Sequence, residues 1–369
     1  MSITIRAAVF ERAGQPLRVE ELELTPPRAR EVLVRYGASG ICHSDLHVWL
    51  GEWEERPALV LGHEGAGVVE AIGPEVMDVT VGDHVILSWC YPCRRCRACA
   101  AGRAWACTGT RSLEHVLDDG STRLARPDGS PVRQYLAIGT FATHAVVPEA
   151  ACVPVPHALP FEVGSLIGCC VATGVGAVVN TARVEPGASL VVVGCGGVGL
   201  SAVMGAALAG ADPIVAVDLE PAKLDLAQDV GATHAVPAGG DVAAQVHAIT
   251  GGGADYALEA IGLVPTIELL PSLVRRGGTV VLVGMTPLGQ RAGFDPLDIA
   301  DRGISILGSN YGSCVAAVDF PRLAHLHLVG KLPVERLVSH RIELAEVDDA
   351  LAALHRRERA RSVIVHTTT

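Results

Sequence analysis

The sequence predicts an α/β chain in which a doubly wound parallel sheet is joined to a β-rich, barrel-like domain. Three observations carry this. Strand and helix patterns alternate through the second half behind a glycine-rich turn. The first half is rich in short Val, Gly and Pro-punctuated strand patterns. At 369 residues, the chain exceeds what one hydrophobic core usually serves. Residues 1–170 and 309–369 are assigned to the β-rich domain, with a cysteine lobe at about 90–107, and residues 171–308 to the parallel sheet.

Taken in order, "MSITIRAAVFERAG" alternates like a strand and lacks the apolar block of a signal peptide. "EVLVRYGASGIC" and "GHEGAGVVEAIGPEV" continue the β-rich half, and Asp119-Gly120 and Asp128-Gly129 mark turns in the segment from Cys107 to Tyr135. "SLVVVG" then opens the alternating half. "DYALEAIG", "GGTVVLVG" and "ISILGS" read as short buried strands, separated by helical patterns at Leu224 to Val230, Val242 to Ile249 and Ile267 to Val274.

A hydrophobic fraction of 49% with 41 glycines describes a globular, turn-rich chain. No apolar run is expected to reach the roughly 18 residues of a membrane span. A net charge of −11 argues against nucleic acid or an anionic membrane as the main partner. The expected location is cytoplasmic.

There disulfides are disfavoured, so the cluster "SWCYPCRRCRACAAGRAWAC" reads as a metal site. Cys93, Cys96, Cys99 and Cys107 stand at spacings of three, three and eight, and two-residue gaps let turns point successive sulfurs inward at a tetrahedral zinc. Four thiolates around one divalent ion leave a charge of −2, which Arg94, Arg95, Arg97 and Arg103 are placed to offset. All four positions are filled by protein, so this zinc is structural. Cys90 is a surplus donor that spacing alone does not exclude.

"SLVVVGCGGVGLSAVMGAALAGADPIVAVD" runs from a β-branched strand through a glycine turn into an Ala-rich helix and a second strand ending at Asp218, nineteen positions after Gly199. This is the Rossmann dinucleotide fingerprint. Gly194 allows the tight turn, Gly196 lets a pyrophosphate approach the backbone, Gly197 and Val198 open the helix toward it, and Gly199 lets the helix pack on its strand. Asp218 is expected to bind the adenosine ribose and repel a 2′-phosphate. Leu219 and Glu220 follow it instead of an arginine, which favours NAD over NADP.

The β-rich half supplies a second set of donors. "GICHSDLHVWLGEW" places Cys42 with His43, Ser44, Asp45 and His47; "LGHEGAG" places His63 beside Glu64; "IGCCVATG" carries Cys169 and Cys170. Two thiolates and one imidazole with an open fourth position are what a catalytic zinc requires.

With "GHEGAG", the four-cysteine loop, "GCGGVG" and "ARSVIV" in this order, nearly the whole chain resembles the zinc-dependent medium-chain alcohol dehydrogenases. The resemblance implies a GroES-like catalytic domain beside the Rossmann domain and two zinc ions per chain. It implies that Cys42, His63 and Cys169 bind the catalytic zinc, that Glu64 approaches it during ligand exchange, and that Asp45 orients His63. Which of Cys169 and Cys170 is the ligand stays open. It further implies a proton relay through Ser44, the cofactor ribose and His47, with His47 at the solvent end. His43 and Arg361 would meet cofactor phosphates, Lys223 the adenosine ribose and Thr173 the nicotinamide. Trp53 and Trp89 would line a narrowed, apolar substrate cleft. The expected activity is hydride transfer between NAD and a primary, apolar or aromatic alcohol, by a homodimer of the long-loop type.

"RACAAGRAWAC" and "NYGSCVAAVDFPRLAHLHLVGKLP" resemble in particular the actinobacterial branch with mycothiol-dependent formaldehyde dehydrogenases. In thiol-dependent relatives a basic residue near Arg111 meets the carrier's carboxylate. The alternatives are therefore such a formaldehyde dehydrogenase or nitrosothiol reductase and, from another class, a non-catalytic nucleotide-binding relative.

Overall fold

A computed structural model of the chain describes residues 1–356, 358 and 361–366. Ala360, the first residue of "ARSVIV", and the threonines at 367–369 lie outside the described residues. The chain forms two compact units, Met1–Cys169 with the segment from Val315 onward, and Cys170–Cys314.

The first unit is β-rich. Its central strand, Glu31–Gly40, buries Val32, Val34, Tyr36 and Ala38 completely, the period of two that a strand with a core face requires. The strands Glu64–Ile72 and His144–Pro148 and the returning strand Ser362–Val365 all pair with it antiparallel. The C-terminal segment is thus part of the same sheet as the metal-donor strand. A closed barrel of Ile3–Phe10, Arg18–Leu24, Leu124–Ala125, Pro131–Gln134 and Leu59–Val60 completes the unit. One apolar core runs through both sheets. Burying each of its Val, Leu and Ile side chains contributes roughly 1.5–3 kcal/mol.

The second unit is a six-stranded sheet, all parallel, with Leu190–Val193 between Ile214–Asp218 and Ala254–Glu259. The strands Val274–Leu282 and Ser305–Gly308 extend it on one side and His234–Pro237 ends it on the other. Strand order therefore reverses after Leu190–Val193, which makes the carboxyl end of that strand the switch point where such sheets bind ligands.

Two expectations are corrected. The helix read at Ile267 to Val274 is Val264–Leu273: Pro265 supplies an N-terminal start, and Val274 belongs to the following strand. A long apolar helical stretch does exist, Phe161–Ala182, with 22 residues and a mean hydropathy of 1.7. It is long and apolar enough to cross a membrane, but its most apolar stretch is 83% buried inside the fold, as a core helix is.

Candidate active site and metal centres

The helix His43–Leu50 begins at Cys42, whose extended backbone ends the strand-side approach. Asp45, at the third helical position, is fully buried. Its Oδ2 accepts from Cys42 N at 3.0 Å, closing the first turn. Its Oδ1 accepts from Gly62 N and faces His63 Nδ1, each at 3.1 Å. One carboxylate thus caps the helix, anchors the loop before Glu64–Ile72 and fixes the His63 ring with Nδ1 as donor, leaving Nε2 available.

Cys42, His63, Glu64 and Cys169 are all buried, and one ligand atom of each lies within 4.8 Å of the others. The neighbouring Cys170 is outside this group. The Cys42 thiol is held well below its ordinary pKa, first by its hydrogen bond with Cys169 and then by the positive charge of His63 and Arg361, against the opposing effect of burial. Burial alone would depress His63, but the charges of Asp45 and Cys42 raise it well above its usual value. Burial pushes the Glu64 carboxyl up to about 8 despite the Arg361 guanidinium. Glu64 Oε1 accepts from Arg361 Nη2, while its Oε2 is buried with no hydrogen-bond partner among the described residues. An acidified Cys42 thiol beside the Cys169 thiol, a fixed imidazole and an orphaned carboxylate oxygen fit a divalent cation.

The second group, Cys93, Cys96, Cys99 and Cys107, is also gathered within 4.8 Å. Backbone amides point at its sulfurs, from Cys96 to Cys93 and from Cys93 to Cys107 at 3.3 Å, and from Gly109 to Cys107 at 3.4 Å. Cys90 stands apart: its thiol donates to Trp105 O at 3.3 Å, and burial pushes it up to about 12. Arg94, expected to offset the thiolate charge, instead donates to Asp78.

In the second unit, a Cβ on Gly199 would lie 1.7 Å from Gly194 O, so only glycine lets this helix sit on its strand. A Cβ on Gly196 would meet nothing within 4 Å, which leaves the approach to the helix Gly197–Ala209 open to a phosphate. Asp218 Oδ2 accepts from Cys195 N at 2.7 Å and Oδ1 from Glu220 N at 3.0 Å, holding the carboxylate at the end of its strand beside the glycine turn. Lys223 lies near enough to act on Cys195 electrostatically. Thr173 is partly exposed in the helical stretch Ala172–Gly176.

The remaining expected residues fall as follows. Ser44 is half-buried, its Oγ 3.9 Å from Cys42 Sγ. His43 is exposed, its ring 5.8 Å from that of His47. His47 is buried rather than at the solvent end: Nδ1 pairs with Glu52, and its ring stacks on Trp53 at 4.5 Å. Trp89 packs half-buried on the core. Arg361, expected at a phosphate, is buried, donating to Ile41 O at 2.7 Å as well as to Glu64. Arg111 is held by both oxygens of Glu114.

Four residues near these donors were not anticipated. Tyr135 sets its ring edge-on to His63 at 5.8 Å. His115 accepts from Leu136 N at Nδ1, so Nε2 carries its proton, 2.8 Å from Glu55. Glu52 meets His47. Tyr135 is 72 positions from His63, and no local motif links them.

A family model described as "Alcohol dehydrogenase GroES-like domain" matches residues 28–157, and one described as "Zinc-binding dehydrogenase" matches residues 197–327. The chain is 38% identical to the alcohol dehydrogenase class-3 of Cereibacter sphaeroides, over 98% of this chain and 99% of that one. Among solved structures, an alcohol dehydrogenase zinc-binding domain protein from Burkholderia ambifaria superposes with a TM-score of 0.95 at 38% identity, covering 100% of each chain. The benzyl alcohol dehydrogenase of Acinetobacter calcoaceticus gives 0.91 at 34% identity, covering 99% and 100%.

The fold and its paired donor clusters define a zinc-binding oxidoreductase. The chain belongs to the zinc-dependent medium-chain alcohol dehydrogenase family, and as a member it is a zinc- and NAD-dependent enzyme acting on CH–OH groups.

Proposed function

We propose that this enzyme oxidises primary, apolar or aromatic alcohols, and reduces the corresponding aldehydes, at a zinc held by Cys42, His63 and Cys169. The observation that carries the site is the buried quartet of Cys42, His63, Glu64 and Cys169 around an orphaned carboxylate oxygen. When bound, zinc supplies Lewis acidity at an alcohol oxygen and the nicotinamide accepts a hydride.

The protein's own groups do the rest. Asp45 fixes the His63 tautomer, and Glu64, balanced by Arg361, is the carboxylate available for ligand exchange. Ser44 and His47 carry a proton away from the site. The four cysteines of residues 93–107 hold a second, structural zinc. Asp218 selects NAD, and the open approach at Gly196 receives the pyrophosphate.

Tyr135 sets an aromatic edge against His63, and with Trp53 and Trp89 assigned to the cleft the lining favours an apolar ring over a charged adduct. A thiol-carrier substrate would require the Arg111 guanidinium, which is engaged by Glu114. For assembly we propose a homodimer. Ser305–Gly308 is the outer strand of its sheet, with Ile306 37% exposed, and such an edge is suited to pairing with a second copy. The two gathered clusters of cysteine donors support a reducing, cytoplasmic setting, where thiols stay available to metal.

The test is a panel of aliphatic, aromatic and thiol-adduct alcohols read by NADH absorbance, with formaldehyde assayed with and without mycothiol. The highest kcat/KM is expected on benzylic alcohols. Turnover of formaldehyde only with the thiol would overturn the substrate assignment.

A further inference from the structure

A proton relay that ends at His47 needs that ring to reach water, yet His47 is one of the buried residues of its helix, with a side chain only 10% exposed. The local chain explains what lies beyond it. The helix His43–Leu50 ends at Gly51, whose φ of +78° is the left-handed conformation that closes a helix. Gly51 N donates back to Val48 O at 3.0 Å, and the amides of Glu52 and Trp53 both return to His47 O, at 2.9 and 3.2 Å. A side chain at 51 would also bring its Cβ to 2.7 Å from that of Ala13.

This reversal folds residues 52 and 53 back over His47. Trp53 covers the ring face, stacked at 4.5 Å and 24°, and the Glu52 carboxylate meets Nδ1. The Glu52 side chain is itself 36% exposed. A carboxylate open to water therefore touches a relay imidazole that is not.

We propose that Glu52 is the positioning residue of the proton relay, holding His47 as the Nδ1–H tautomer and stabilising the imidazolium formed when Nε2 takes up a proton. The proposal rests on the assignment of His47 to the relay. Because Nδ1–H is donated to Glu52, the Nε2 lone pair is the acceptor. The proton is stored as an imidazolium–carboxylate pair, and one proton passes to bulk water when the pair returns to neutral imidazole and carboxylate. Charge and protons balance without another reactant. In aldehyde reduction the same steps run backward.

Among the described residues, His43, on the same helix, also faces His47. On the helix packed against it, Val347–His355, Asp348 is taken up by Leu17 N at 2.9 Å and Trp49 Nε1 at 3.0 Å. Glu52 is thus the carboxylate placed to set the charge of this ring.

The experiment uses the intact zinc-loaded enzyme and follows kcat for alcohol oxidation from pH 5 to 10 in Glu52→Gln, Glu52→Asp, His47→Gln and the double variant His47→Gln/Glu52→Gln. Losing the Glu52 carboxylate should alter the acid limb of the profile in Glu52→Gln and lower kcat roughly tenfold at its plateau, with little change in KM. Glu52→Asp should recover part of the shift. In the His47→Gln background, removing Glu52 should change kcat by less than about twofold, since a residue that acts through another has nothing left to act on.

If His47→Gln lowers kcat and Glu52→Gln leaves the limb where it was, the inference is overturned and the relay stands. If His47→Gln leaves both kcat and the limb unchanged, the relay assignment itself fails. A further loss in the double variant equal to that of Glu52→Gln alone would show that Glu52 acts independently of His47, which also overturns the inference.

Discussion

Asp45→Asn tests how much of the metal site is built by one buried carboxylate. Asp45 accepts from Cys42 N, Gly62 N and His63 Nδ1 at 3.0, 3.1 and 3.1 Å, and no water reaches it. An asparagine has one oxygen for these three donors. With that oxygen toward Gly62 and His63, its NH2 opposes the Cys42 amide, leaving one buried donor unpaired at a cost of about 1–3 kcal/mol. With the amide flipped, two donors lose their acceptor, and the His63 ring no longer has a reason to keep Nε2 toward the metal. Loss of such a partner behind a ligating histidine typically weakens metal binding 10–100-fold. We therefore expect zinc to leave the variant 10–100-fold more readily in competition with a chromophoric chelator, with kcat falling alongside. The structural zinc in the same protein serves as the internal reference. Zinc retention and kcat within twofold of the parent would refute the assignment of Asp45 as the group that orients His63.

Asp218→Asn keeps an acceptor for the Cys195 amide while removing the charge; the ratio of kcat/KM for NAD over NADP should fall at least tenfold, and an unchanged ratio means another group reads the ribose. Metal analysis should return two zinc ions per chain. Cys90→Ala should keep both, because its thiol lies outside the cluster and is bonded to Trp105 O; a count of one in that variant would make Cys90 a ligand. His366 gives a pH prediction. Burial, with His144 and Arg6 adding, lowers its pKa to about 4. The unfolded chain then takes up a proton near pH 6.5 that the folded chain refuses until about 4, so stability is full above that range and falls as pH drops through it. His366→Leu should flatten the melting temperature between pH 6.5 and 4, and an unaltered slope would place the acid sensitivity elsewhere.

Much of the site was legible because its chemistry is written locally. The glycine turn, the acidic residue after the second strand and the four-cysteine loop each sit within a short stretch, where spacing constrains which atoms can converge. Asp45 was reached through the family resemblance, and the structure supplies the physical basis, since a helix places its third residue back against the N-terminal amide. Tyr135, His115 and Glu55 were not legible, because Tyr135 meets His63, His115 meets Tyr135 and Glu55 meets His115 only through packing of segments far apart in sequence. The placement of Arg361 against Glu64 follows from the strand Ser362–Val365 pairing with Glu31–Gly40, a register no local pattern reveals.

By itself the sequence determined the two-part α/β architecture, the four-cysteine loop and the dinucleotide turn, since these depend on periodicity and short-range spacing, while the donors Cys42, His63 and Cys169, far apart in the chain, came from the family resemblance. Only the tertiary structure decided that Cys169 joins the buried donors while Cys90 and Cys170 do not, that Arg94 turns away to Asp78, and that His47 lies beneath Trp53 against Glu52. The reason is physical: which of two adjacent thiols faces inward, and whether an imidazole meets water, depends on chain segments that packing alone brings into contact.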